Sequence, residues 1–186
     1  MSQVSNVKVH KTLRPRVSQG DVFREVECIE YVVEKHGIVE VSKIVFPLVI
    51  VLTQDCDLEQ DSRNRTKKTN NTKLLSVLVA PLYNAEHVFQ GEHLSDIGLQ
   101  MSPINKKNTP GKTLMKNETP RYHYIDFPQN VPLVASVIDF KHYFSTHVSY
   151  MEGIRKKNFV CRLSNLFRED VSQRFASYLG RIGLPT

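Results

Sequence analysis

The apolar residues of this chain are gathered into short runs, and this pattern limits what the chain can fold into. The strongest run, residues 46–53, is almost continuously apolar and rich in β-branched side chains, which predicts a strand buried on both faces. Residues 74–82 and 131–140 form two further runs, and we expect Pro81 to end the first of them. None of the runs approaches the roughly 20 residues that a membrane-spanning helix requires.

Weaker signals lie around these runs. Residues 22–33 are typical of a strand, and His36-Gly37 predicts a hairpin turn from which residues 38–41 return. Further strands are predicted over residues 122–125 and 142–150, one or two short helices over residues 85–99, and polar loops over residues 61–72 and 105–116.

The clearest helix lies at the end of the chain, over residues 163–183. Its apolar residues recur at helical spacing: Val171, Phe175, Tyr178, Leu179 and Ile182. Residues 163–165 offer a cap, and Gly183 and Pro185 end the helix. Many strands followed by one terminal helix predict a mainly β (α+β) fold with a C-terminal amphipathic helix, not an alternating βαβ sheet.

Length and composition fit one globular domain. The chain has 186 residues, of which 24% are charged and 40% hydrophobic, and a domain of this size buries a core without disulfides. We divide the single domain 1–186 into a core of residues 18–83, an insertion with further strands over residues 84–160, and the terminal helix.

The cysteines and the N-terminus point to the cytoplasm. Cys28, Cys56 and Cys161 are widely spaced and form no CxxC pair, which argues against a disulfide framework or a zinc ribbon. The first residues lack the apolar segment of a signal peptide, so we expect a cytoplasmic protein without a membrane segment. The sequence carries no phosphate-binding or dinucleotide-binding motif, and we predict no cofactor.

The net charge of +6 is unevenly placed along the chain. Residues 62–73 and 105–116 hold nine of the 25 Lys and Arg residues and no acid, which leaves 16 basic against 19 acidic residues elsewhere. Such stretches either bind phosphate groups or form solvated loops. The candidate nucleic-acid-binding residues are Arg63, Arg65, Lys67, Lys68, Lys106 and Lys107.

The most unusual local feature is the polar stretch of residues 53–58, TQDCDL, at the end of the strongest strand. If the strand continues, Thr53, Asp55 and Asp57 share one face and Cys56 points to the other. Asp55, Cys56 and Asp57 are therefore candidate catalytic residues, and the two aspartates are also candidates for holding a divalent metal. Two adjacent carboxylates disfavour a thiolate, so we favour a buried, structural Cys56 beside aspartates that accept hydrogen bonds from turn amides.

The histidines show no metal-binding spacing. His87 and His93, and likewise His142 and His147, are not placed i, i+4 as the two ligands of a helical zinc site are. We therefore predict no metal site.

Three segments resemble the PemK/MazF toxin family. They are residues 20–23 (GDVF), 47–53 (PLVIVLT) and 76–82 (SVLVAPL). The resemblance covers residues 18–83 and implies a small SH3-like β-barrel. Members of that family cut RNA with an arginine and a threonine or serine, whereas here Phe46 stands at the arginine position and Tyr83 close to the threonine position. Phenylalanine cannot stabilise developing charge as arginine does, so this route to RNA cleavage is lost unless Arg63 or Arg65 substitutes.

A second resemblance involves two further segments, one in the middle and one near the end of the sequence. Residues 53–58 and 172–185 resemble a group of uncharacterised bacterial proteins that share an [ST]-x-x-CD-[LI] segment and an RFA-x-x-x-GR-[IV]-GLP tail. Both resemblances imply a bacterial or phage protein.

Two hypotheses on function follow. The favoured one is a non-catalytic module of a toxin–antitoxin or phage-defence setting that binds nucleic acid or a protein partner, with a homodimer as a further option. The alternative is a ribonuclease or other hydrolase of PemK/MazF-like descent that uses Asp55, Asp57, Cys56 and a loop arginine. The replaced positions and the basic stretches favour the first hypothesis, and the polar TQDCDL stretch is the basis of the second.

Overall fold

One curled antiparallel sheet organises the chain. The computed structural model describes residues 7–67 and 73–181, and within these ranges eight strands and five α-helices are formed. The strands are β1 (Val9–His10), β2 (Asp21–Lys35), β3 (Ile38–Val51), β4 (Ser76–Asn84), β5 (Tyr122–Ile125), β6 (Ser136–Asp139), β7 (Phe144–His147) and β8 (Phe159–Leu163). The helices are α1 (Asp55–Thr66), α2 (Ala85–Gln90), α3 (Thr109–Met115), α4 (Val148–Asn158) and α5 (Asn165–Leu179).

The order of strands in the sheet is β1-β8-β2-β3-β4-β6-β5, and β7 also pairs with β4. All of these pairs are antiparallel. The prediction of a mainly β, α+β fold with a C-terminal helix is confirmed, as are the strand over residues 122–125 and the short helical segments after residue 84.

The longest pairing joins β2 to β3, from Val22 opposite Ile50 to Lys35 opposite Ile38. His36 and Gly37 form the predicted turn, with φ angles of 54° and 77°. Positive φ at both central residues is the signature of the type I′ turn that suits a twisted hairpin. The sequence predicts separate strands over residues 38–41 and 46–53, whereas residues 38–51 form one strand.

The end of β3 is buried on both faces, as its apolar sequence predicts. Ile50 packs in a core cluster with Val171 and Phe175 of α5. Val49 and Val51 point to the opposite side, into a cluster that contains Met151 of α4. Helices on both sides of the sheet therefore explain why apolar residues do not alternate with polar ones here.

The prediction for residues 53–66 is wrong, because the strand stops at Val51 and helix α1 follows from Asp55 to Thr66. The predicted loop over residues 61–72 is therefore helical in its first half, and residues 68–72 lie outside the described ranges. Charge placement explains the helix. Asp55 and Asp57 lie in its first turn, Arg63 and Arg65 in its last, and both arginines pair with carboxylates one turn earlier.

Three other local predictions need correction. Pro81 does not end β4, since it lies opposite Val49 at the end of the β3–β4 ladder and the strand continues to Asn84. The predicted loop over residues 105–116 contains α3, in which Gly111 packs so closely on the carbonyl oxygen of Asn105 that an added Cβ would lie 2.4 Å from it. Residues 142–150 form only the short strand β7 before α4 begins, and residues 131–140 form a strand only from Ser136.

The apolar face of α5 is narrower than its sequence spacing suggests. Val171 and Phe175 are buried, and the ring of Phe175 lies 5.5 Å from that of Phe140 between centroids. Leu179, predicted to share this face, is 52% exposed. Ile182, Gly183 and Pro185 lie outside the described residues. Across the described ranges, every helix is too short or too polar to cross a membrane.

We expect α5 to be integral to the fold, and a pair of substitutions on it tests this. Phe175→Ala removes a buried ring and should lower the free energy of unfolding by about 3 kcal/mol. Leu179→Ala, four residues further along the same helix, should change it by less than about 0.5 kcal/mol. Urea denaturation followed by circular dichroism measures both, and equal effects of the two substitutions would contradict the assignment of the buried face.

Candidate functional site

Asp55, the first candidate of the polar stretch, lies at the centre of an arginine cluster. Its two carboxylate oxygens accept hydrogen bonds from Arg16 at 2.8 Å, from Arg168 at 2.9 Å and from Arg14 at 3.3 Å. The backbone N–H of Gln19 donates a further bond at 3.2 Å. One carboxylate thus connects the segment before β2, the start of α1 and helix α5.

The charges around Asp55 fix its ionisation. Partial burial favours the neutral carboxyl group, but the hydrogen bonds and charge of Arg16, together with Arg168, hold the pKa of Asp55 well below its ordinary range. Asp55 is therefore an anion held by cations on three sides, which suits a structural tie and leaves it a weak base.

A second aspartate lies deeper in the same cluster. Asp21 is fully buried, accepts a hydrogen bond from the backbone N–H of Ser18 at 2.8 Å, and lies 3.7 Å from a guanidinium nitrogen of Arg162. Burial raises the pKa of Asp21 to about 7. Four arginines and two aspartates meet in this region, which packs between the N-terminal segment, β8 and α5.

The other two candidates face solvent. Because residues 55–58 are helical, Cys56 and Asp57 do not share the direction of Asp55, and both are exposed. The Cys56 sulfur lies 3.7 Å from side-chain oxygens of Gln54 and Asp57. The prediction of a buried Cys56 is wrong, and the structure does not bring the three side chains together into one site.

Three of the six candidate nucleic-acid-binding residues form ion pairs. Arg63 pairs with Glu59, Arg65 with Asp61, and Lys106 with Glu86. Lys67 and Lys107 are exposed, and Lys68 lies outside the described residues. The basic stretches of the sequence are thus partly neutralised by acids that the fold brings beside them.

A cleft opens where β3 and β4 separate. The two strands pair only over Val49–Val51 and Val79–Pro81 and separate beyond Pro81, while β4 keeps β6 on its other edge. The cleft holds about 320 Å³ and is bordered by residues 44–48 of β3, residues 81–84 of β4 and the segment from His87 to Ile97. Successive side chains of a strand point to opposite faces of the sheet. Because five consecutive residues of β3 border the cleft, the cleft runs along the edge of the strand and not over one face.

Most of the groups that line the cleft are apolar, and they include Pro47 and Pro81. Phe46 and Tyr83, the two positions singled out by the toxin resemblance, both line the cleft. Val45 and Val134 line it with largely exposed side chains.

Beside the cleft lies a polar centre that sequence spacing does not reveal. His93, Asp139 and His142 each offer one ligand atom, and these three atoms lie within 4.8 Å of one another. The hydroxyl of Tyr83 lies 3.1 Å from Nδ1 of His142, and Arg121 donates to both oxygens of Asp139. The two histidines are distant in sequence, so spacing along the chain does not show this pair, and only the tertiary structure does.

Comparison with protein-family models, with curated proteins and with solved structures finds no match to this chain. The PemK/MazF resemblance therefore stays a prediction from the sequence, and the functional argument is built on the geometry above.

The Asp55 cluster predicts a clear contrast between neighbouring residues. Asp55→Asn leaves three partly buried arginines without their shared anion and should lower the free energy of unfolding by about 3 kcal/mol at neutral pH. Asp57→Asn, on the exposed side of the same helical turn, removes only one charge near the helix N-terminus and should change it by less than about 1 kcal/mol.

The same contrast has a pH dependence. Because the pKa of Asp55 is lowered in the folded protein, its contribution is present above the unfolded-state pKa of about 3.9 and is lost as the pH falls below that value. Urea denaturation at pH 7 and at pH 3 should therefore show the difference between wild type and Asp55→Asn shrinking at the lower pH. A difference that grows on acidification would contradict the ionic role of Asp55.

Proposed function

We propose that this protein is a non-catalytic binding module that holds an extended, apolar segment of a partner protein in the cleft between β3 and β4. The observation that carries the proposal is the separation of these two strands, which leaves an apolar cleft along a strand edge. Peptides bind such edges by adding a strand, with backbone hydrogen bonds giving affinity and side-chain pockets giving specificity.

The backbone of β3 supports this mode of binding. Within the described ranges, residues 38–48 of β3 pair with β2 alone, so their other edge has no strand beside it. Continuing the β3–β4 register would place Leu48 opposite Leu82, but the ladder between the two strands ends with Val49 opposite Pro81. An extended segment that enters the cleft finds backbone donors and acceptors on β3 and apolar side chains around it.

Charge indicates the chemistry of the bound segment. The hairpin arm formed by residues 25–43 of β2 and β3 contains five glutamates and only two lysines, and it leads directly into the cleft. Ile29, Val32, Ile38 and Val39 are exposed on this arm between the charged residues. We therefore expect a partner segment in which apolar residues alternate and basic residues lie towards the arm.

The same electrostatics weigh against nucleic acid as the ligand. Phosphate binding needs uncompensated positive charge, whereas Arg63, Arg65 and Lys106 each have a carboxylate partner. The acidic arm beside the cleft would also repel a phosphate backbone.

Loss of catalysis is consistent with what lines the cleft. If the sheet is an SH3-like barrel of PemK/MazF-like descent, Phe46 and Tyr83 occupy the catalytic positions of that family, and both side chains border the cleft. They offer contact area to a bound segment in place of charge stabilisation. The toxin-like or defence setting depends on the sequence resemblance alone.

Selection from a display library of random linear peptides tests the proposal. We expect enrichment of peptides with alternating apolar residues and added Lys or Arg. Val134 lines the cleft and is 59% exposed, so Val134→Glu should weaken the binding of a selected peptide about tenfold, or ~1.4 kcal/mol, without unfolding the protein. Leu75→Glu, at a 75% exposed position outside the cleft lining, is the matched control and should leave the affinity unchanged.

Fluorescence anisotropy with the selected peptide and with a labelled RNA separates the possible outcomes. Equal binding by wild type and Val134→Glu would contradict the cleft as the binding site. RNA binding that survives Val134→Glu and is lost when Arg63 and Lys67 are changed to Ser would favour the nucleic-acid function. RNA cleavage that is lost in Asp57→Asn would favour the hydrolase alternative.

A further inference from the structure

We propose that His93, Asp139 and His142 form a binding site for one divalent transition-metal ion of the zinc type. The three residues come from separate parts of the fold. Asp139 ends β6, His142 lies in the 3₁₀ turn that follows it, and His93 lies in the segment after α2. One ligand atom from each falls within 4.8 Å of the other two, so small side-chain rotations bring all three to a single ion. This inference does not depend on the proposed peptide-binding function.

The chemistry of the three groups suits such an ion. The imidazole nitrogens of His93 and His142 can each offer a lone pair to an ion, and the carboxylate of Asp139 offers a negatively charged oxygen. Two imidazoles and one carboxylate are ligands that zinc and similar ions accept, whereas calcium and magnesium prefer oxygen ligands alone.

An unsatisfied group points to a ligand at this position. Neither ring nitrogen of His93 makes a hydrogen bond, although both are shielded from solvent. The backbone carbonyl of His87 lies near this ring but outside hydrogen-bond geometry. A buried polar atom without a partner is costly, and coordination of an ion by His93 would satisfy it.

The surroundings resemble the outer shell that orients metal ligands. Arg121 and the backbone N–H of Lys141 donate to the carboxylate of Asp139 and hold it in place. The oxygen Oδ2 of Asp139 still faces Nδ1 of His142 at 3.7 Å, and Tyr83 holds the ring of His142 through its hydroxyl. Hydrogen bonds from such partners fix ring and carboxylate orientation before an ion arrives.

Three protein ligands leave a zinc-type ion with one coordination position to fill. His93 and Tyr83 both line the cleft as well as this centre, so the two features share a wall. A water molecule or a donor atom of a bound molecule would complete the coordination from that side.

The test is a titration of the purified full-length chain, free of any affinity tag, with Zn²⁺ against a chromogenic chelator. We expect one ion per chain. His93→Phe keeps an aromatic ring against Tyr83, removes both nitrogens and breaks no hydrogen bond, so it should fold normally and lower the affinity for zinc by about 100-fold or more. His10→Gln changes an exposed histidine outside the cleft lining, and should bind zinc as the wild type does.

Co²⁺ absorption provides a second readout. Ligation by the two histidines and the carboxylate should give visible bands without a sulfur-to-metal charge-transfer band. The proposal is overturned if the wild type binds neither ion, if His93→Phe binds zinc as tightly as the wild type, or if a sulfur band appears and is lost in Cys56→Ser. Circular dichroism of His93→Phe confirms that a loss of binding is not a loss of structure.

Discussion

The position of β4 in the sheet is the constraint on which the remaining structure depends. On one edge β4 pairs with β3 only over Val79–Pro81, and on its other edge it pairs with β7 and then with β6. Because the β3–β4 ladder ends at Pro81 while β4 continues to Asn84, the sheet opens between β3 and β4 and Tyr83 lies on the wall of the cleft. The pairing of β4 with β6 brings Asp139, at the end of β6, close to the same place.

The cleft contrasts with the closely tied region around Asp55. There, hydrogen bonds from three arginines to one carboxylate fasten the N-terminal segment and α5 to the start of α1. A buried ion pair contributes little net stability compared with apolar packing, but losing one partner is costly. The cluster therefore determines which segments are held together, and it adds little apolar burial. Asp55 of the TQDCDL stretch thus has a structural explanation.

Much of the fold could be predicted because its signals are local. The apolar run that ends β3 needs no long-range information, nor does the His36-Gly37 turn or the spacing of Val171 and Phe175. Prediction of secondary structure from the sequence fails where two local rules conflict. Residues 55–66 are polar and rich in turn formers, which favoured a loop, but acids at the start and arginines at the end, with i, i+4 pairs between, stabilise a helix. The order of charges along residues 55–66 therefore indicates α1, although the composition of this segment favours a loop.

The candidate sites could be predicted only in part, and the reason is physical. The sequence places Asp55 in an unusual polar stretch, but its contacts depend on Arg16 and Arg168, which lie far from it in the chain. The pairing of His93 with His142 has the same origin, since Asp139 is near His142 in the sequence but His93 comes from a distant segment. Sequence spacing detects sites built on one helix or one loop. Here the ligands are brought together by the pairing of β4 with β6 and by the packing of the segment after α2, so their proximity is a property of the topology.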